Sequence, residues 1–148
     1  IKRTFRAIYS FDLPDLAGAR LVSARLSVYQ RFVQGRPFNI MGNLVVDHIN
    51  MGAAYNNAAW AAFTIATIRD ADGEAVPISD SSALGRKTLE VTAQVKADIL
   101  AGRTRSQYRV RFELDAPDGV LGSDLVNLTS VKAIPFQAPE LILTVVEP

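Results

Sequence analysis

Nine residues, 21–29, restrict the fold more than any other stretch. They read Leu-Val-Ser-Ala-Arg-Leu-Ser-Val-Tyr. Apolar and polar side chains that alternate at a period of two build a strand with one dry and one wet face. The alternation places Val22, Ala24, Leu26 and Val28 on one side and Ser23, Arg25, Ser27 and Tyr29 on the other. A preceding strand over residues 4–11 lines up Phe5, Ala7, Tyr9 and Phe11. It ends at Pro14, which cannot donate to a ladder and restricts the residue before it. Ala17-Gly18 supplies the return, and Gln34-Gly35-Arg36-Pro37 breaks the chain again.

The same logic runs downstream. Residues 43–49 read as a third strand whose apolar Leu44-Val45-Val46 implies cover on both faces. Residues 50–62 have two readings, a helical turn favoured by Ala58-Ala59-Trp60-Ala61-Ala62 or a long structured loop favoured by Gly52 and Asn56-Asn57; 63–69 read as a strand and 70–73 as a hairpin turn. Residues 76–78 form a short edge piece because of Pro77. Residues 79–85 read as loop. One helix is expected over about 92–101, with Thr92 as N-cap, Val95 and Ile99 as its buried stripe and Gly102 as its stop. Residues 107–114 alternate again. Tyr108, Val110, Phe112 and Leu114 oppose Gln107, Arg109, Arg111 and Glu113. Residues 116–119 are a turn, and the last strands cover 125–129 and 141–146. Strands punctuated by turns, with one small helix, predict an all-β antiparallel jelly-roll β-sandwich in a single domain spanning residues 1–148, with a barrel as the alternative.

Composition narrows function mainly by exclusion. A net charge of +1 gives no electrostatic bias toward nucleic acid, and no apolar run approaches the roughly 20 residues of a membrane span. The chain lacks cysteine, so disulfides, thiol nucleophiles and cysteine metal sites are excluded. It opens Ile1-Lys2-Arg3, which reads as a domain trimmed from a longer or processed protein.

Several stretches, taken in order, resemble the DNRLRE-type domains, secreted β-sandwich modules similar to some bacterial carbohydrate-binding modules. They are Phe11-Asp12-Leu13, then residues 21–29, then Val91-Thr92-Ala93-Gln94-Val95, then Ser130 and Pro139-Glu140-Leu141-Ile142-Leu143. The resemblance covers nearly the whole chain. It implies a jelly-roll sandwich, an extracellular or cell-surface setting and a non-catalytic accessory or adhesive role. Many relatives carry a Trp-rich segment after the third strand, whereas this chain has Trp60 alone.

The candidate binding residues are arginines on wet strand faces. Arg105, Arg109 and Arg111 share one face at a spacing of two, and Arg25 and Tyr29 share another. If those strands are neighbours they form a basic stripe with a Tyr, suited to an acidic polysaccharide. The competing explanation is a solvated strand face that discourages edge pairing. His48, the lone histidine, follows Asp47 in a strand, so the two face opposite ways and form no catalytic pair. Tyr55, Trp60 and Phe63 are an aromatic group that reads mainly as core.

Residues 70–74 alternate carboxylates but lack the rest of a calcium loop. A structural calcium ion has spare carboxylates in Asp12, Asp15, Asp118 and Asp124, with no spacing that places it. No carboxylate pair, nucleophile elbow or phosphate loop marks an enzyme. The expectation is therefore a polysaccharide-binding or adhesion module without catalysis, cofactor, nucleic-acid partner or membrane insertion. The alternative is a structural spacer that packs on neighbouring domains or on copies of itself. A small hydrolase with carboxylates in a groove ranks third.

Overall fold

The computed structural model describes residues 5–16, 18–52, 75–115, 123–130 and 132–147. Expectations for residues 53–74 and 116–122 lie outside them, including Tyr55, Trp60, Phe63, Asp118 and the turns at 70–73 and 116–119.

The strands form two antiparallel sheets, a β-sandwich of the expected class. β1 (Ala7–Asp12), β6 (Arg105–Phe112), β3 (Leu44–Ile49) and β4 (Val76–Ser79) make one sheet in that order. In the other, β2 (Arg20–Gln34) lies between β5 (Gly85–Glu90) and a second edge shared by β7 (Leu125–Leu128) and β8 (Glu140–Val146). Gln30 pairs with Gly85 and Leu128 at once, and Arg25 pairs with Glu90 and Ile142. β7 and β8 are therefore one interrupted strand opposite β5, and residues 129–139 loop out between them. This loop carries a 3-10 turn at Pro135–Gln137.

The core lies between the sheets. Ala24, Leu26 and Val28 of β2 are fully buried against Tyr9, Leu44, Val46, Tyr108 and Val110. The Tyr9 hydroxyl crosses the gap to donate to the Thr129 carbonyl at 3.1 Å, and burial pushes its pKa up to about 12. Within residues 21–29 the alternation fails at the start. Leu21 is buried and Val22 is 42% exposed, because the register with β8 slips between Leu21 and Ser23. A bulge of this kind flips the side chains on one side of it to the other face. β4 is the edge piece expected from Pro77. Residues 80–84 are loop as expected, and β5 then takes in Gly85 through Glu90, including most of the expected lead-in at residues 89–91. Its inward positions are Gly85, Lys87 and Leu89, so one apolar residue is all that its pattern displays.

Two helices, not one, accompany the described strands. α1 (Pro37–Met41) begins with Pro37, whose missing N–H costs nothing in a first turn. It is flanked by Gly35 and Gly42, each at positive φ. A Cβ on Gly42 would collide with the Glu113 carboxylate, which accepts the Asn43 N–H at 2.8 Å. Gly42→Ala is expected to destabilise the fold by about 1–3 kcal/mol, from strained backbone and the displaced carboxylate. A urea melt checks this.

α2 (Thr92–Leu100) covers the opposite end of the sandwich. Thr92 is not its cap. Val91 holds that position, and the Thr92 hydroxyl instead accepts the Ala24 N–H at 2.8 Å, tying the helix to β2. Nor is Val95–Ile99 its buried stripe. Ile99 is 39% exposed, and the inward positions are Val91, Val95 and Asp98, one helical face at i, i+4 and i+7. The C-terminus stops as expected. Gly102 has φ +69°, its N–H reaches the Ile99 carbonyl, and the Arg103 N–H reaches Asp98, which together make a Schellman motif.

Candidate functional site

β2 and β6 are not neighbours. They sit in different sheets, so the five candidate residues divide between the two opposite outer faces of the sandwich. The continuous stripe of Arg25, Tyr29, Arg105, Arg109 and Arg111 that neighbouring strands would make does not form.

On the β6 side Arg109 faces away from Val110, as the alternation requires, but that outer face is covered. Val45, Asp47, Ile49 and Gln107 are all buried, and Arg109 is only 6% exposed. Arg109 finds its counter-charge there in Asp47, which stands opposite it in the β3–β6 register. Its Oδ2 accepts Nε–H of both Arg109 and Arg111 at 2.8 Å, and its Oδ1 accepts Nη2 of Arg111 at 3.1 Å. Burial pushes the Asp47 carboxyl up, but the hydrogen bonds and charges of Arg111 and Arg109 outweigh it and leave the carboxyl below the usual range. Arg105 remains accessible, paired across the strands with Asp12 at 3.0 Å. An exposed pair of this sort contributes little stability.

His48 points the other way, into the sandwich, as expected from its place beside Asp47. Its ring stacks on Tyr108 with centroids 5.7 Å apart, and its Nε2 lies 2.8 Å from Asp98 Oδ2 on α2. Arg103 Nη1 donates to Asp98 Oδ1 at 2.6 Å. The Ser106 hydroxyl bonds Asp98 and lies 2.7 Å from the Tyr108 hydroxyl. Burial raises the Asp98 carboxyl, and the bonds from His48, Ser106 and Arg103 more than reverse that. Ser, His and Asp meet here, yet His48, Asp98, Ser106 and Tyr108 are all buried beneath the helix, so no substrate reaches them. They fasten α2 to the sheet.

The other outer face is open. Arg25 is exposed, and Tyr29 is half-buried beside two residues that the sequence did not bring forward, Arg86 and Phe136. The loop at 129–139 lays Phe136 edge-on to Tyr29, with centroids 6.4 Å apart. The Arg86 guanidinium lies 6.0 Å from the Tyr29 centroid. It donates to Ser27 Oγ at 2.9 Å, to the Ala138 carbonyl at 3.1 Å and to the Phe136 carbonyl. Glu140 follows at 3.8 Å. Phe136 itself is 65% exposed. Nothing in residues 135–137 beyond one Phe signals this contact, because it depends on where an interrupted strand resumes.

Among the described residues no group of three or more His, Asp or Glu side chains is placed to hold a metal ion. Asp12 is spent on Arg105, and Asp124 accepts the Arg36 N–H. No helix among them is long and apolar enough to cross a membrane. Comparison with family models, with curated proteins and with solved structures finds no match.

Proposed function

We propose that this chain is a non-catalytic carbohydrate-recognition module of an extracellular or cell-surface protein, as its likeness to the DNRLRE-type domains implies. It binds through the outer face of β5, β2 and β7/β8. The observation that carries this is the exposed Phe136 ring, held against Tyr29 and braced by Arg86 before any ligand arrives. A fixed ring costs little ordering entropy on binding and offers an apolar surface to a sugar face. Arg25, Arg86, Glu90 and Glu140 stand on the same sheet face, two charges of each sign. That balance suits the hydroxyls of a neutral sugar. The acidic polysaccharide expected from an arginine row loses its main support, since Arg109 and Arg111 are committed to Asp47.

Calorimetric titration with a neutral glucan and with a polyuronate tests this. Phe136→Ala is expected to weaken glucan binding by about tenfold or more, in the manner of an aromatic anchor, and Arg25→Ala by less. Tighter, salt-sensitive binding of the polyuronate would count against neutral-sugar recognition. A second role, packing against copies of itself, draws on the exposed Ile134, Ile142, Val145 and Val146. Light scattering that stays monomeric at rising concentration removes it.

A further inference from the structure

We propose that the cleft at the end of the sandwich opposite α2 is a separate recognition site, and that it takes an apolar organic cation such as an aryl or alkyl ammonium. α2 covers one end of the sandwich. At the other, a cleft of about 550 Å³ opens between the end of β6 and β7. That volume lies within the range of about 300–1,000 Å³ usual for small-molecule sites. Its floor continues the core: Leu44 and Val110 are buried, and Phe112, Val126 and Leu128 are half-buried. A hydrocarbon body would find apolar contact there on both sheets.

The mouth supplies the opposite preference. Glu113, Asp115 and Asp124 border it, with Glu113 and Asp115 exposed. Glu113 and Asp124 are held by the backbone N–H groups of Asn43 and Arg36 at 2.8 and 2.6 Å. Two arginines also border the cleft, Arg6 and Arg111. The Arg111 guanidinium is turned to Asp47 and to the carbonyls of Phe112 and Glu113. Carboxylates therefore outnumber guanidinium groups at the opening. Two rings complete the set. Phe5 is 78% exposed, and Phe112 is fixed edge-on by Phe38 at 5.6 Å. Ring faces and carboxylates attract an ammonium together, more so when its body is desolvated. An anion would meet the carboxylates, and a neutral ligand would leave them unmatched.

The test is a heteronuclear NMR titration of the whole chain with benzyltrimethylammonium, benzyl alcohol and phenylacetate. They share one ring and differ in charge. The cation is expected to bind saturably and shift amides of residues 112–115 and 125–128. It should bind about tenfold more tightly than the alcohol, with phenylacetate weaker still. Asp115→Asn should weaken the cation about threefold to fivefold while leaving the melting temperature in place, since Asp115 is exposed. Three outcomes overturn the proposal. One is equal binding of all three probes. Another is no saturation of the cleft amides by about 10 mM cation, beyond the weak-binding range. The third is an Asp115→Asn affinity equal to the unsubstituted chain. The glucan titration proceeds on another face, so either result stands without the other.

Discussion

Replacing Asp47 with Ala is expected to cost about 3–5 kcal/mol of stability, because it removes the buried carboxylate that the Arg109 and Arg111 guanidinium groups share. In a chain of 148 residues that is a fall in melting temperature of roughly 10 °C or more. The asymmetry of buried charge gives a sharper form. Removing the two guanidiniums as well, in Asp47→Leu with Arg109→Met and Arg111→Leu, is expected to recover much of the loss, since well-packed apolar groups replace a buried ionic cluster at little net cost. Denaturant melts of the single and triple variants measure both. A single-variant loss below about 1 kcal/mol would mean that the arginines are solvated, as an exposed platform requires.

Asp98→Ala is expected to cost about 3 kcal/mol and to loosen α2, leaving buried His48 without its carboxylate and Arg103 without its ion pair. Amide exchange over residues 92–100 should accelerate more than that of β2. Acid links the two aspartates. Both carboxyls lie below their ordinary value in the folded chain. The unfolded chain therefore takes up protons first as pH falls. Their contribution is fully present above the unfolded value of about 3.9, and it drains away as pH drops through the lowered folded values. The unsubstituted chain should lose stability steeply below about pH 4. Asp47→Asn and Asp98→Asn should each flatten that slope.

The fold was largely legible because strands with one buried face declare themselves by alternation. Residues 21–29 and 107–114 did so, and Leu44-Val45-Val46 pointed to partial cover on both faces of β3, whose full burial extends to Asp47 and His48. What escaped notice was whatever hides the alternation. The bulge at Val22 shifts a face without changing composition. β5 turns Gly85 and Lys87 inward, where no apolar signal marks them. Asp98 occupies a core position on α2 because His48, Ser106 and Arg103 converge on it from distant parts of the chain, and a hydrophobic stripe search passes over it to Ile99.

The candidate site was half legible. Facing direction was right for Arg109, but facing outward is not the same as reaching water. Alternation tells which side of a sheet a residue takes, not what covers that side. Sheet order decided the rest, since β2 and β6 sit in separate sheets and no local pattern states that. Arg25 and Tyr29 stayed on an open face. Their companions Arg86 and Phe136 come from a strand without periodicity and from a loop, the two places where sequence patterns say least.

Backbone amide shifts recorded during titration with a neutral oligosaccharide locate recognition most directly. Changes centred on Arg25, Tyr29, Arg86 and Phe136, with residues 105–111 quiet, are the expected result. Changes centred on Arg105, Arg109 and Arg111 would contradict it, and would place the ligand on the sheet face where Asp47 pairs with Arg109 and Arg111.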